Sequence, residues 1–236
     1  KKISVGMNMG LTRTENIGLN TGNNSLSGNV AAALSLPTNV PVFSSTHPTG
    51  YNISPDFVAL GRGNNTLGVE NNGPNIRYVL DNNKETFLNY RVLGNFYAQV
   101  MPIEGLTLRT QYGIDAILGE GFTYWNPTHG DGRGPGGLVS QSKLNNFRWN
   151  WQNTASYSKT FAEAHKVDVV IGLEYQKQTS KFTLATATAL SDPFFGEDNI
   201  ITGTFATQNI SGDSNPSGFD SYFGRINYSF KDKYLM

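Results

Sequence analysis

Hydrophobic and polar residues alternate with period two through six stretches of the chain, the pattern of strands with one apolar and one polar face. From Lys2 to Thr14, Ile3, Val5, Met7, Met9 and Leu11 share one side, while Ser4, Gly6, Asn8, Gly10 and Thr12 share the other. Leu88 to Val100 sets Leu88, Tyr90, Val92, Phe96 and Val100 against Asn89, Arg91, Asn95 and Gln99, with Leu93 and Tyr97 blurring the polar side. Leu106 to Ala116 sets Leu106, Leu108, Tyr112 and Ile114 against Thr107, Arg109, Gln111 and Asp115. In Leu144 to Lys159, Phe147, Trp149, Trp151, Ala155 and Tyr157 oppose Asn146, Arg148, Asn150, Gln152 and Thr154. Lys166 to about Leu184 sets Val167, Val169, Ile171, Leu173 and Tyr175 against Asp168, Glu174 and Gln176. Phe219 to Phe230 sets Tyr222, Ile226, Tyr228 and Phe230 against Ser221, Arg225, Asn227 and Ser229.

These segments are roughly 11 to 19 residues long. Strands of globular proteins cluster near ~5–6 residues, whereas a tilted membrane-spanning strand needs ~9–11. The connections alternate as well. Pro102 to Gly105, Thr160 to His165 and Lys231 to Lys233 are short, and Glu15 to Phe87, Ile117 to Lys143 and about Ala185 to Gly218 are long. Tight turns at one rim and extended loops at the other are the connection pattern of outer-membrane barrels. The fold class predicted is therefore all-β: an antiparallel, up-and-down transmembrane β-barrel, represented by about six strands. The apolar faces then meet lipid, where every backbone group must be paired. Arg91, Arg109, Gln111, Asp115, Arg148, Asn150, Gln152, Glu174 and Arg225 are expected to face the lumen, or a plug that fills it. Tyr157, Phe161, Tyr228, Phe230 and Tyr234, beside the short turns, suit an interfacial girdle; cross-strand packing in a soluble sheet is the plainer alternative.

Composition supports this picture. Only 15% of residues are charged, against about a quarter in soluble domains. Eighteen basic residues balance eighteen acidic ones, so the net charge leaves no electrostatic footprint for nucleic acid or for an anionic lipid surface. The absence of cysteine excludes disulfides, thiolate metal sites and cysteine nucleophiles. No apolar run reaches the ~18 residues of a membrane helix. The chain opens at Lys1 without initiator Met or signal peptide and closes in what looks like another strand, so both ends read as cuts through a longer sequence.

The loops offer little chemistry. A helix is expected from about Ser27 to Leu36, with Val30, Ala33 and Leu34 on one face and Pro37 ending it. Asn64, Asn65, Asn71, Asn72, Asn75, Asn82 and Asn83, set among glycines, suit turns and wet external backbone, with sugar binding as the sharper alternative. His129-Gly130-Asp131-Gly132-Arg133-Gly134-Pro135-Gly136-Gly137 lacks the Lys and Ser/Thr of a phosphate loop and the oxygen ligands of a calcium loop, and is read as a flexible external turn. His47, His129 and His165 have no partner at metal or triad spacing. Tyr124, Trp125, Phe194 and Phe195 are the candidates for stacking on a substrate, against the more usual role of packing a loop. Catalytic residues, metal ligands and cofactors are not expected.

The run Asn145-Asn146-Phe147-Arg148-Trp149-Asn150-Trp151-Gln152-Asn153-Thr154, its continuation Val167-Asp168-Val169-Val170-Ile171-Gly172-Leu173-Glu174-Tyr175, and Ser221-Tyr222-Phe223-Gly224-Arg225-Ile226-Asn227-Tyr228-Ser229-Phe230-Lys231-Asp232-Lys233-Tyr234-Leu235 resemble the barrel of SusC/RagA-type TonB-dependent transporters. Leu93-Gly94-Asn95-Phe96-Tyr97 followed by Gly105-Leu106-Thr107-Leu108 is similar too. The resemblance covers most of Arg91 to Met236, and more loosely the loop around Pro37 to Tyr51. It implies that residues 1–236 are part of one large barrel, about 22-stranded, whose plug domain and other strands lie outside this sequence. It also implies active import of oligosaccharides or peptides, a SusD-like surface lipoprotein as partner, and energy drawn from TonB of the inner-membrane complex through the plug. It carries over no binding residue. The competing expectations are a passive porin or structural barrel and a soluble carbohydrate-binding β-sandwich.

Overall fold

The computed structural model describes residues 2–18, 32, 34–63, 73–192, 194, 200, 205–231 and 234–235. Six long strands follow one another: β1 (Ile3–Ile17), β2 (Lys84–Val100), β3 (Leu106–Trp125), β4 (Leu138–Phe161), β5 (His165–Leu190) and β6 (Phe205–Phe230). A two-residue β7 (Tyr234–Leu235) closes the order, and every strand pairs antiparallel with its sequence neighbours in one open sheet. A single sheet without a facing partner is not a sandwich, which overturns that alternative among the described residues. A short helix, α1 (Ile76–Asn82), precedes β2.

The register confirms the face assignments. Ile3 pairs with Val100, Val100 with Leu108, Leu108 with Ala155, Ala155 with Ile171 and Ile171 with Gly224, all on the apolar side. Among the described residues nothing covers that side: Val5, Leu11 and Ile171 are 74%, 71% and 60% exposed. Surfaces this apolar and contiguous are rare on soluble monomers, and they suit hydrocarbon.

The same register yields the strand tilt. The β2–β3 turn leaves at the row of Val100 and Leu108, which continues to Gly224 on β6, yet β6 runs six residues further to its own turn after Phe230. Six residues are about 20 Å at ~3.3 Å each, and the two turns lie four strand spacings of ~4.8 Å apart. If both turns reach one membrane surface, the strands tilt by about 45°, within the range of outer-membrane barrels.

The turns are tight. Gly105 adopts φ 80°, and a Cβ there would run into the Ser158 carbonyl. In the β4–β5 turn Ala162 and Glu163 both take left-handed conformations, φ 47° and 53°, the twist short hairpin connections require.

At the opposite rim the strands outrun the periodicity. The long connection expected from Ile117 to Lys143 shrinks to residues 126–137, and that from Ala185 to Gly218 to residues 191–204. Where neither face has an apolar phase to meet, nothing demands alternation, and the ladder continues where the alternation stops, as in Ser211 to Pro216 paired with Leu184 to Thr179. A small core of Tyr124, Val139, Ala187 and Phe205, flanked by Phe122, Leu190 and Ile200, forms there.

The helix expected at Ser27 to Leu36 falls largely outside the described residues, including Val30 and Ala33. Of its described part, Ala32 is buried, Leu34 is 84% exposed rather than packed, and the Leu36 amide donates to the Ala32 carbonyl.

Candidate functional site

Arg91, Arg109, Gln111, Asp115, Arg148, Asn150, Gln152, Glu174 and Arg225 all fall on the face opposite the apolar one. Asp115 pairs with Arg148, Gln111 with Gln152, Gln152 with Glu174, and Arg225 with Val170 beside Gly172. At the centre, Arg91 grips Asp115 with two parallel bonds, Nε to Oδ1 and Nη2 to Oδ2, each 2.8 Å. Arg148 adds Nη2 to Oδ2 at 2.9 Å. One carboxylate thus holds two guanidinium groups, leaving a net positive centre. Beside it a depression is lined by Asn8, Asn95, Gly113, Asn150 and Gln176, with Asp115 and Arg148 at its edge. Such a surface offers amide donors and acceptors and fixed charge to a polar molecule in the lumen.

Lower on the same face, Arg109 donates to Gln111 Oε1 at 2.8 Å and lies 4.1 Å from the Tyr97 ring centre. Tyr97 covers Gly6 of β1, and Phe223 covers Gly172 of β5 in the same way. These rings, with the half-exposed Phe219 and Leu93, make the polar face more amphipathic than alternation alone suggests. Period-two counting places Leu93 and Tyr97 on this side but treats them as exceptions to its polarity, and so it did not single them out as contact candidates. Asn146 Oδ1 on this face is buried without a hydrogen-bond partner among the described residues.

The external loops build a second site. Asn75 is 2% exposed. Its Oδ1 caps α1 by accepting from the Tyr78 amide at 3.2 Å, and its Nδ2 donates to the carbonyls of Val42 at 2.8 Å and Asn52 at 3.1 Å. Asn83 Oδ1 accepts from the Asn126 amide at 2.8 Å, and the Tyr78 hydroxyl donates to Asn126 Oδ1 at 2.9 Å. The expectation of wet amides is therefore corrected for Asn75 and Asn83: burial forces their side chains to satisfy backbone groups instead. Asn64, Asn65, Asn71 and Asn72 lie outside the described residues. Tyr51 donates to Asp81 at 2.7 Å, and that bond with the carboxylate raises the phenol pKa.

His129 is fully buried. Its Nε2 accepts from the Asn75 amide at 2.8 Å, and its Nδ1 donates to the Phe57 carbonyl at 2.7 Å. With Nε2 accepting an N–H, the ring is neutral, and burial lowers its pKa from 6.5. His129 thus joins the first long loop to the second. The segment after it is no slack turn: Gly130–Gly132 form a 3-10 turn, and Gly136 and Gly137 take φ 69° and 90° to bring the chain back to Gly132 and Leu190. Sequence spacing gave no hint of this, since His129 meets residues 54 and 72 positions away.

Of the stacking candidates, Tyr124 is 3% exposed and packs in the small core, so most of its ring is committed to loop packing. Trp125 is half-buried, Phe194 is 78% exposed, and Phe195 lies outside the described residues. Tyr124 and Phe194 both line one pocket, with Asp81, Asn82, Asn83, Asn126 and Asp192. No group of metal-ligating side chains occurs among the described residues.

No protein-family model matches the chain. It is 32% identical over 159 residues to TonB-dependent receptor P26 of Formosa agariphila, covering 66% of this chain and 16% of that protein. It is 28% identical over 141 residues to TonB-dependent receptor P3 of the same organism, covering 60% and 14%. Among solved structures, the RagAB peptide transporter superposes with TM-score 0.72 at 18% identity, over 98% of this chain and 25% of the other. The RagAB peptide importer in its closed-closed state gives 0.57 at 20% identity, over 68% and 18%. The chain spans about a sixth of the length of the first of these relatives, and the proteins matched are receptors and transporters, not enzymes. The chain is thus similar in sequence to TonB-dependent receptors and shares its fold with part of the RagAB transporter.

Proposed function

We propose that the chain forms one sector of the barrel wall of an outer-membrane importer, part of a single larger barrel domain whose plug and other strands lie elsewhere in the protein. The importer takes up oligosaccharides or peptides with a SusD-like surface lipoprotein over its mouth, and it is energised by TonB acting on the plug. The observation that carries this is the match of nearly the whole sheet to the RagAB transporter, over 98% of the chain, together with sequence similarity to named TonB-dependent receptors. The charged and amide side chains that dominate the other side of the sheet support a wet passage. Arg91, Arg109, Gln111, Asp115, Arg148, Asn150, Gln152, Glu174 and Arg225 are assigned to that passage, where they contact plug or cargo. Phe194 at the loop pocket is assigned to the external mouth.

Transport makes or breaks no bond here; it needs binding and a gate. The test is uptake of fluorescent oligosaccharides and peptides by cells expressing the whole protein, with and without a protonophore. Uptake that stops on collapse of the proton gradient, and on deletion of TonB, is expected. Uptake indifferent to both would mean a passive porin.

A further inference from the structure

The apolar face ends on β4 and β5 in a group of aromatics with lysines at their upper edge. Trp151 stacks on Tyr175, ring centres 5.9 Å apart and 28° between planes, and Trp149 stacks on Tyr112 at 5.8 Å. Opposite them, β6 presents Pro216 and Gly218, which add little bulk, so a groove opens between Trp149, Trp151, Tyr175 and β6. Lys177, paired in register with Trp149, stands at its rim, and Lys181 follows four residues on along the same face. Both lysines are exposed, and neither makes an ion pair among the described residues. Of the carboxylates on this face, Glu15 is held by Arg13 at 2.7 Å, Glu120 is engaged by Lys143 at 3.7 Å, and Asp220, in register with Tyr175, lines the lower part of the groove.

Height decides what this group meets. Val167 to Lys177 is ten residues, about 23 Å along the membrane normal at ~3.3 Å per residue and ~45° tilt. The apolar band of such barrels is about 25 Å tall. Lys177 therefore lies at the outer edge of the hydrocarbon, and Lys181 stands about 9 Å higher, among headgroups. A lone lysine there would only extend to water. Two lysines on one strand, about 13 Å apart, stand above an aromatic groove whose far wall on β6 is Pro216 and Gly218, with Asp220 lower down beside Tyr175; they combine a seat for anionic headgroups with a slot for an acyl chain.

We propose that this surface binds a phosphorylated glycolipid of the outer leaflet, its phosphates on Lys177 and Lys181 and an acyl chain against Trp149, Trp151 and Tyr175. The inference rests on the outer-membrane placement under Proposed function. The test uses the whole protein in detergent, titrated by native mass spectrometry with bis-phosphorylated lipid A and with the same lipid stripped of phosphate. The wild type should retain the phosphorylated form preferentially. The double variant K177A/K181A should retain it about thirtyfold less, from the attraction each cation contributes near an anionic surface. K177R/K181R should bind as the wild type does. Equal retention of the two lipids, or retention unchanged in the double alanine variant, overturns the proposal. Outer-membrane fractionation and a heat-shifted gel band of the same variants, checked first, test the placement separately: a folded outer-membrane protein that ignores phosphate sinks only the lipid site.

Discussion

The wall and the loop platform above it are stabilised in opposite ways. In the wall, from the short turns up to about the row of Trp149 and Lys177, the described strands carry most of their large apolar side chains outward, and no residue of the small buried core lies there. Ladder hydrogen bonds are satisfied within the sheet and the apolar side chains depend on lipid. In the platform, the chain buries polar groups, Asn52, Asn75, Asn83 and His129, and pairs each with backbone. One region is apolar outside and has its solvent supplied by the membrane; the other is a water-soluble fold in miniature, fastened by amide and imidazole bonds. A given substitution therefore has a different cost depending on which side of the Lys177 row it falls.

The largest effect should come from a charge placed in the wall. Ile171 and Ile210 are both exposed, 60% and 81%, and both lie on the outward face. Ile171→Arg should destabilise the protein in liposomes by about 2–4 kcal/mol, as charges do near the bilayer midplane, whereas Ile210→Arg should be nearly neutral. Urea unfolding of both variants in lipid measures this, and equal costs would erase the boundary drawn between the regions.

Next in size is Asn75→Ala, which strips the α1 cap and frees the Val42 and Asn52 carbonyls. A lost cap together with unpaired buried groups costs about 2–3 kcal/mol. That loss should appear as faster hydrogen exchange and proteolysis within residues 40–61 and 73–83, with the wall unchanged.

A smaller, pH-dependent effect belongs to His129. Its folded pKa is depressed by burial, so its neutral form favours the folded platform. This contribution is complete above the ordinary imidazole value of ~6.5 and is lost as pH falls through the depressed one. Protonation also replaces the Nε2 acceptor by a second N–H facing the Asn75 amide. Exchange at residues 53–61 and 126–137 should rise on acidification in the wild type, while His129→Gln should lack that His-dependent rise. An unchanged profile in the wild type would remove the histidine from the fastening.

The smallest change is expected for Asp115→Asn. Arg91 and Arg148 are each about half exposed, so water replaces much of what they lose, and stability should fall by about 1 kcal/mol. Its visible effect should be on permeation: the polar face gains positive charge, and anionic cargo should be favoured over cationic cargo in uptake assays.

The alternation of residues determined the wall almost completely. Every polar residue assigned to the lumen, from Arg91 to Arg225, lies on one face of the register, because a strand's period is two and one face of each strand meets lipid. The short turns were legible for the same reason. Strand ends were not: Ser211 to Pro216 pair with β5 without alternating, since backbone pairing continues where neither face has a reason to be apolar. Tertiary structure alone decided the platform. Nothing near His129 in sequence announces its bonds to Asn75 and Phe57, and Asn75 looks like any loop asparagine until burial leaves its amide no partner but backbone. Local periodicity records which solvent each face of a strand meets, whereas the partners of a buried polar group are set by whichever distant segments the fold brings within hydrogen-bonding reach.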